Sequence, residues 1–88
     1  MTDTYYRNLT LDEIYAAPDK YAWNCLLFYR QFTQDELLHF KQYLDIPRLV
    51  SHQHAATLNF LRTHFAQEID ECLEVDWLDV LKCTMNRG

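Results

Sequence analysis

The chain of 88 residues contains very little glycine and proline: Gly88 is its single glycine, and Pro18 and Pro47 are its two prolines. Tight turns between β-strands depend on glycine for backbone conformations with positive φ. So little glycine favours an all-α fold before any periodicity is considered. The length allows one domain with a single hydrophobic core. The sequence therefore predicts one helical domain over residues 1–88.

Long apolar runs are also missing. No stretch approaches the roughly 20 apolar residues of a membrane span, and residues 1–20 lack the basic start and apolar run of a secretory signal. Three cysteines, Cys25, Cys72 and Cys83, occur without a C-x-x-C spacing. We therefore expect a cytoplasmic protein with free thiols and no membrane partner.

Clusters of basic residues are absent as well. Eight Lys and Arg residues are scattered along a chain with thirteen Asp and Glu residues, and the net charge is −5. Binding to a phosphate backbone requires clustered Lys and Arg, so direct nucleic-acid binding is not expected.

The sequence also lacks a glycine-rich phosphate loop and a serine nucleophile motif. Cys25 and Cys72 lie in apolar patterns that predict buried, inert thiols, whereas Cys83 near the end of the chain is expected to be more exposed. His54 falls on an apolar helix face and is expected to be a hydrogen-bonded core residue. We expect no enzymatic activity, no catalytic residue, no metal and no cofactor.

A helix-capping motif occurs three times, in the segments 9–14, 32–37 and 75–80. Each has an apolar residue, a Thr or Asp cap, an acidic residue three positions after the cap, and a second apolar residue directly after that. The cap side chain accepts a hydrogen bond from the backbone N–H three positions later, and the acidic side chain accepts one from the backbone N–H of the cap. These motifs predict helices that begin after Thr10, Thr33 and Asp76.

The periodicity of apolar residues extends these starts into a compact bundle of four to five short helices. We expect helices over about 11–17, 18–31, 34–45, 51–74 and 76–83, with the second one central and the fourth longest. A buried strand over 23–29 is the competing interpretation of one short apolar run. Residues 1–8 and 84–88 are expected to fray.

The strongest functional signal is an acidic segment, residues 68–79, with net charge −6 and no basic side chain. Because the whole chain carries −5, the rest of the chain sums to +1, and the acidity is local. Such a segment can steer a basic partner, while aromatic and apolar side chains supply affinity. The candidate partner-binding residues are Glu68, Asp70, Glu71, Glu74, Asp76, Trp77 and Asp79, together with Phe60. Phe60 lies opposite the main apolar stripe of the predicted fourth helix, so it either contacts a second layer of the fold or stands exposed as a candidate contact.

We therefore expect a small protein–protein interaction module, an adaptor, inhibitor or regulator, that docks on a basic surface of another protein. Four alternatives stay open. The acidic segment can be a solvated helix face, or a nucleic-acid mimic that inhibits a DNA- or RNA-binding protein. His64, Glu68 and Cys72, at successive spacings of four, can belong to a metal- or thiol-linked regulator. The surplus of aromatic residues can instead form the interface of a structural homodimer.

Overall fold

A computed structural model describes residues 2–87. This range contains eight α-helices and no strand, which confirms the predicted all-α fold. The helices are α1 Thr2–Asn8, α2 Leu11–Ala16, α3 Trp23–Tyr29, α4 Gln34–His39, α5 Ile46–His52, α6 Leu58–His64, α7 Ala66–Glu71 and α8 Trp77–Thr84, with 3₁₀ turns at Pro18–Lys20 and Lys41–Tyr43.

All three predicted helix starts are confirmed. The side chains of Thr10, Thr33 and Asp76 each accept a hydrogen bond from the backbone N–H three positions later, and each cap's own N–H donates to the acidic side chain there. The apolar residues that flank each cap are buried: Leu9, Ile14, Phe32, Leu37, Val75 and Val80. Each helix start is therefore tied both to its own backbone and to the core.

The competing strand interpretation of 23–29 is wrong, because this segment is α3. The predicted helix over 18–31 is shorter than expected. It begins as a 3₁₀ turn at Pro18–Lys20, and α3 follows after Tyr21 and Ala22. Trp23 fixes this junction, since its indole N–H donates to the carbonyl oxygen of Pro18 at 2.8 Å.

The single long helix predicted over 51–74 is wrong, because the chain leaves the helix at Gln53 and again at Phe65. Gln53 is fully buried. Its Oε1 accepts from the backbone N–H of Phe32 at 2.8 Å, and its Nε2 donates to the carbonyl oxygens of Leu27 and Arg30 at 2.7 and 2.6 Å. A turn here lets one side chain join the end of α3 to the start of α4, and Thr57 then caps α6.

Lys41 marks the second break. Its Nζ donates to the carbonyl oxygen of His64 at 2.5 Å, lies 5.1 Å from the ring centroid of Phe65, and pairs with Glu68 at 3.4 Å. A cation at the end of α6 satisfies a carbonyl that has no partner within the helix. A contact between residues far apart in the sequence therefore separates α6 from α7.

One hydrophobic core joins the helices, with Leu26, Leu27, Leu49 and Leu61 completely buried. Phe60 belongs to this core: it is 5% exposed and packs on Phe65 with ring centroids 5.5 Å apart. The described chain has a radius of gyration of 12.8 Å, close to the roughly 12 Å of a compact domain of this length.

Both ends of the described chain contact the body of the fold. α1 was not predicted as a helix; Tyr6 stacks on Tyr29 of α3 at 6.4 Å between ring centroids. Arg87 donates to the carbonyl oxygens of Val50, Ser51 and Ala56. Fraying of residues 1–8 and 84–88 stays a prediction, and Met1 and Gly88 lie outside the described residues. Across residues 2–87, no helix has the length and apolar character needed to cross a bilayer.

Candidate protein-docking surface

The acidic segment folds as the end of α7, a short connection and the start of α8. α7 ends at Glu71, and Asp76 begins α8 as its cap. Ile69, Val75 and Val80 are buried and attach the segment to the core. Five of the six carboxylates lie between these anchors and Glu68 directly precedes the first, so the fold holds the acidic surface in place and leaves part of its charge unpaired.

The six carboxylates divide into two groups. Asp76 and Asp79 form the capping box of α8, with hydrogen bonds of 2.9 and 3.3 Å between each side chain and the other residue's backbone N–H. Glu68 pairs with Lys41, the one ion pair among the described side chains of residues 5–87. Asp70, Glu71 and Glu74 are exposed, and none of them pairs with a cation in that range. These three are the carboxylates most available to a basic partner.

Trp77 connects the acidic surface to α8. Its indole N–H donates to Oδ1 of Asp70 at 2.6 Å, and its ring is half-buried against the core. The bond spans the connection between α7 and α8. Asp70 is therefore held beside the first turn of α8, where acidic and aromatic groups form one continuous surface.

An exposed apolar stripe on α8 continues this surface. We call Leu78, Leu81 and Met85 the α8 stripe; they are 65%, 47% and 75% exposed. At 100° per residue they fall within about 60° of arc on one side of the helix. Val80 and Thr84 are buried and define the core-facing side. Leu73, in the connection before α8, is also fully exposed.

Two members of the α8 stripe, Leu81 and Met85, form one wall of a groove whose other wall is Leu58 at the start of α6. The groove has a volume of about 440 Å³ and is lined by Leu58, Leu81, Lys82, Thr84 and Met85. The start of α6 therefore lies beside the end of α8. Sequence reasoning named Trp77 but missed Leu81, Met85 and Leu58. The spacing 78, 81, 85 is visible in the sequence, but only the fold shows that this side of α8 is uncovered.

Phe60 does not join this surface. As a buried core residue it has no exposed face to offer a partner, so the candidate contact expected from the sequence is absent. Phe60 packs inside the core against Phe65, which is the contact with a second layer that its position opposite the main stripe allowed. The docking candidates that remain on the surface are the acidic residues and Trp77.

The residues proposed for a metal- or thiol-linked role are spread over different elements. His64 ends α6, whereas Glu68 lies in α7 and pairs with Lys41. Among the residues the structure describes, no group of three or more His, Cys, Asp or Glu side chains is arranged to hold a metal ion. All three cysteines are half-buried free thiols, which is less burial than predicted for Cys25 and Cys72.

His54 is exposed and is not the core histidine expected from the sequence, because the turn after Gln53 moves it off the helix face. It lines a pocket with Cys83, Asn86 and Arg87. No hydrogen bond joins the thiol and the imidazole in the described chain.

His52, at the end of α5, is half-buried. Burial, together with the positive charges of Arg48 and Arg87, lowers the pKa of its imidazole below the ordinary 6.5. This histidine lies outside the acidic segment, and its altered titration bears on stability, not on docking.

Comparisons with protein-family models, with curated proteins and with solved structures found no match to this chain. The function has to be inferred from the chain's own surface, where the acidic residues, Trp77 and the α8 stripe lie next to one another.

Proposed function

We propose that this protein is a small, non-enzymatic interaction module that binds a basic surface of another protein through its acidic segment. The observation that carries the proposal is the combination, along α7 and α8, of exposed apolar groups and carboxylates that lack a cationic partner among the described residues. Charge steers the partner to the surface, and Trp77 with the α8 stripe supplies contact area that holds it there.

The distribution of carboxylate partners supports this proposal. A purely structural acidic segment would use its charges in caps and ion pairs, as Asp76, Asp79 and Glu68 do. The other three, Asp70, Glu71 and Glu74, lack a cationic partner in residues 2–87. Exposed like charges repel one another and do not favour folding. A basic partner would relieve that repulsion on binding.

The apolar side chains give a second line of support. Four of the large exposed apolar residues, Leu73, Leu78, Leu81 and Met85, fall in thirteen consecutive positions. Single exposed apolar residues are common, but a contiguous group bordered by charges is typical of an interaction site. The site we propose is therefore amphipathic. We infer that the protein acts in the cytoplasm as an adaptor, inhibitor or regulator, by docking on or occluding its partner.

The experiment that tests this proposal is an affinity pull-down from an extract of the cells that express the chain, at low and at high salt, with mass identification of the retained proteins. The wild-type protein is compared with the double variant Glu71→Lys, Glu74→Lys. We expect a basic protein that is retained at low salt, is released by high salt, and is lost with the double variant.

A matched control carries Asp19→Lys and Asp35→Lys, two exposed carboxylates outside the acidic segment. It changes the net charge by the same amount and is expected to retain the partner. Equal retention by the wild type and the Glu71→Lys, Glu74→Lys variant would contradict the proposal. The retained protein can itself be a nucleic-acid-binding protein. If nucleic acid and this module compete for it, the module acts as a nucleic-acid mimic, and its affinity is expected to fall steeply with salt.

A further inference from the structure

We propose that the groove between α6 and α8 receives an amphipathic helix of the partner, with two or three apolar side chains against the α8 stripe and Lys or Arg residues toward Asp70 and Glu74. This inference rests on the proposed function and deepens it. It assigns the partner a helical recognition element, in place of a flat basic surface or an extended basic tail.

The shape of the groove favours a helix as its ligand. Leu81 and Met85 form one wall, Leu58 forms the other, and the two walls come from different helices. Leu81 and Met85, which line the groove, lie about 6 Å apart along the helix axis at 1.5 Å per residue. Leu78 continues the exposed stripe beyond the groove lining, to roughly 10 Å or about two helical turns. A helix that lies in an apolar groove inserts residues spaced by three and four positions, the same spacing as the α8 stripe. The groove, together with Leu78 beyond its lining, therefore matches a short helix of about two turns.

The charges along α8 favour a partner helix that is basic at one end. Trp77, in the first turn of α8, donates a hydrogen bond to Asp70, which places the Asp70 carboxylate at that end. Lys82, in the last turn of α8, lines the groove. A partner helix whose basic residues are concentrated at one end fits this asymmetry, because its cations meet Asp70 and Glu74 and avoid Lys82.

A second copy of the chain fits the groove less well. Each copy carries a net charge of −5, so two copies repel one another. Stable interfaces bury roughly 1,200–2,000 Å², and the three side chains of the α8 stripe are too few to reach that area when paired with themselves. A basic helix adds charge contacts that a second copy cannot supply.

The test uses two short synthetic peptides with the same leucine positions on one helical face. One carries lysines near one end, and the other carries glutamates in their place. Each is titrated into ¹⁵N-labelled protein. We expect the lysine peptide to shift the amide signals around Leu58, Leu81 and Met85 and the glutamate peptide to leave them unchanged. Replacing the leucines of the lysine peptide by serine is expected to weaken binding at least tenfold.

Two protein variants separate this inference from the proposed function. Leu81→Asp places a charge in the groove and is expected to weaken binding of the lysine peptide at least tenfold. Phe28→Asp is the matched control, because Phe28 is 50% exposed and does not line this groove. Circular dichroism checks that both variants stay helical. Loss of binding with both Leu81→Asp and the Glu71→Lys, Glu74→Lys variant supports a helix in the groove.

Binding that depends on Glu71 and Glu74 but is unchanged by Leu81→Asp would overturn the inference and leave the proposed function standing. Binding that neither variant changes would overturn both. Sedimentation velocity of the free protein gives the third outcome: a dimer that Leu81→Asp dissociates would show that a second copy occupies the groove, and the helix inference would then be wrong.

Discussion

The turn around Gln53 and the acidic segment use polar side chains in opposite ways. Gln53 is completely enclosed, and both ends of its amide are hydrogen-bonded to backbone groups at the end of α3 and the start of α4. Asp70, Glu71 and Glu74 are exposed and lack a cationic partner among residues 2–87. Gln53 uses its polarity to hold the fold together. In the acidic segment, Asp70 accepts a hydrogen bond from Trp77 and Glu71 accepts one from Gln67, but the negative charges of Asp70, Glu71 and Glu74 stay available.

The difference shows how a small chain separates stability from binding. A buried polar group contributes only when its hydrogen bonds are complete, and leaving them incomplete is destabilising. An exposed carboxylate is solvated and contributes little to folding, so it can be kept for a partner. The two regions should therefore respond differently to substitution, and the following experiments test that difference in order of expected effect.

The largest effect is expected for Gln53→Met, which keeps the approximate shape of the side chain and removes its hydrogen bonds. The N–H of Phe32 and the carbonyl oxygens of Leu27 and Arg30 then lose this partner. At about 1–3 kcal/mol for each unsatisfied buried group, with some relief from relaxation, we expect the free energy of unfolding to fall by about 3–5 kcal/mol. Urea denaturation followed by circular dichroism measures it.

Gln34→Met is the control for this substitution. Gln34 is exposed, and its amide donates one hydrogen bond to the carbonyl oxygen of Ala55 at 3.0 Å. Water can replace that bond, so a loss below about 1 kcal/mol is expected. If Gln53→Met and Gln34→Met lose similar amounts of stability, the buried hydrogen bonds of Gln53 contribute no more to folding than an exposed hydrogen bond does.

An intermediate loss of stability is expected for a substitution within the acidic segment itself, at Asp76. Asp76→Ala removes the cap of α8, and we expect the free energy of unfolding to fall by about 1 kcal/mol. Thermal unfolding compares the loss of stability in Asp76→Ala with that in Glu74→Ala. Glu74 has no side-chain hydrogen bond within the described residues, so Glu74→Ala should lose little stability. A larger loss for Glu74→Ala would reverse our division of the carboxylates.

A smaller, pH-dependent effect is expected at His52, next to Gln53. The folded state lowers the pKa of its imidazole, so the unfolded chain binds the proton more readily. Stability from this group is present above the ordinary pKa of 6.5 and is lost as the pH falls toward the lower pKa of the folded state. Urea midpoints at pH 7.5 and pH 5.5 should show a smaller acid loss for His52→Gln than for the wild type. An equal loss would remove His52 as a source of acid sensitivity.

The smallest effect on folding is expected for Glu71→Lys, Glu74→Lys. Exposed charges without ion-pair partners should change the free energy of unfolding by no more than about 0.5 kcal/mol. Urea denaturation at two salt concentrations provides the measurement. Loss of several kcal/mol would place these carboxylates with Gln53 as structural groups and would remove the contrast between the two regions.

Local interactions in this fold were predictable from the sequence, and contacts between distant residues were not. The three capping boxes depend on groups three positions apart, and all three are confirmed. The breaks at Gln53 and Phe65 depend on Leu27, Arg30 and Lys41, which are distant in sequence from the groups they contact. No periodicity within 51–74 reveals those partners, and for that reason the predicted helix was too long and His54 was misplaced.

The candidate site divides in the same way. The acidic segment and Trp77 were visible as composition, and their position on the surface follows from apolar anchors that the pattern also contains. Leu81 and Met85 were not identified, because α8 has apolar residues on two sides and the sequence does not tell which side the core covers. The contribution of Leu58 comes from another helix, well before Leu81 in the chain, and required the tertiary structure.

The most direct test of the docking account is calorimetric titration of the partner retained in the pull-down against wild-type protein and the Glu71→Lys, Glu74→Lys variant, at one ionic strength. Reversing two charges at the edge of a charged interface should weaken binding by about tenfold or more while the fold is kept. We predict that the variant binds the partner at least tenfold more weakly than the wild type, and that the two proteins have the same unfolding midpoint. Equal affinity for the two proteins would contradict the central claim that the acidic segment is the docking surface.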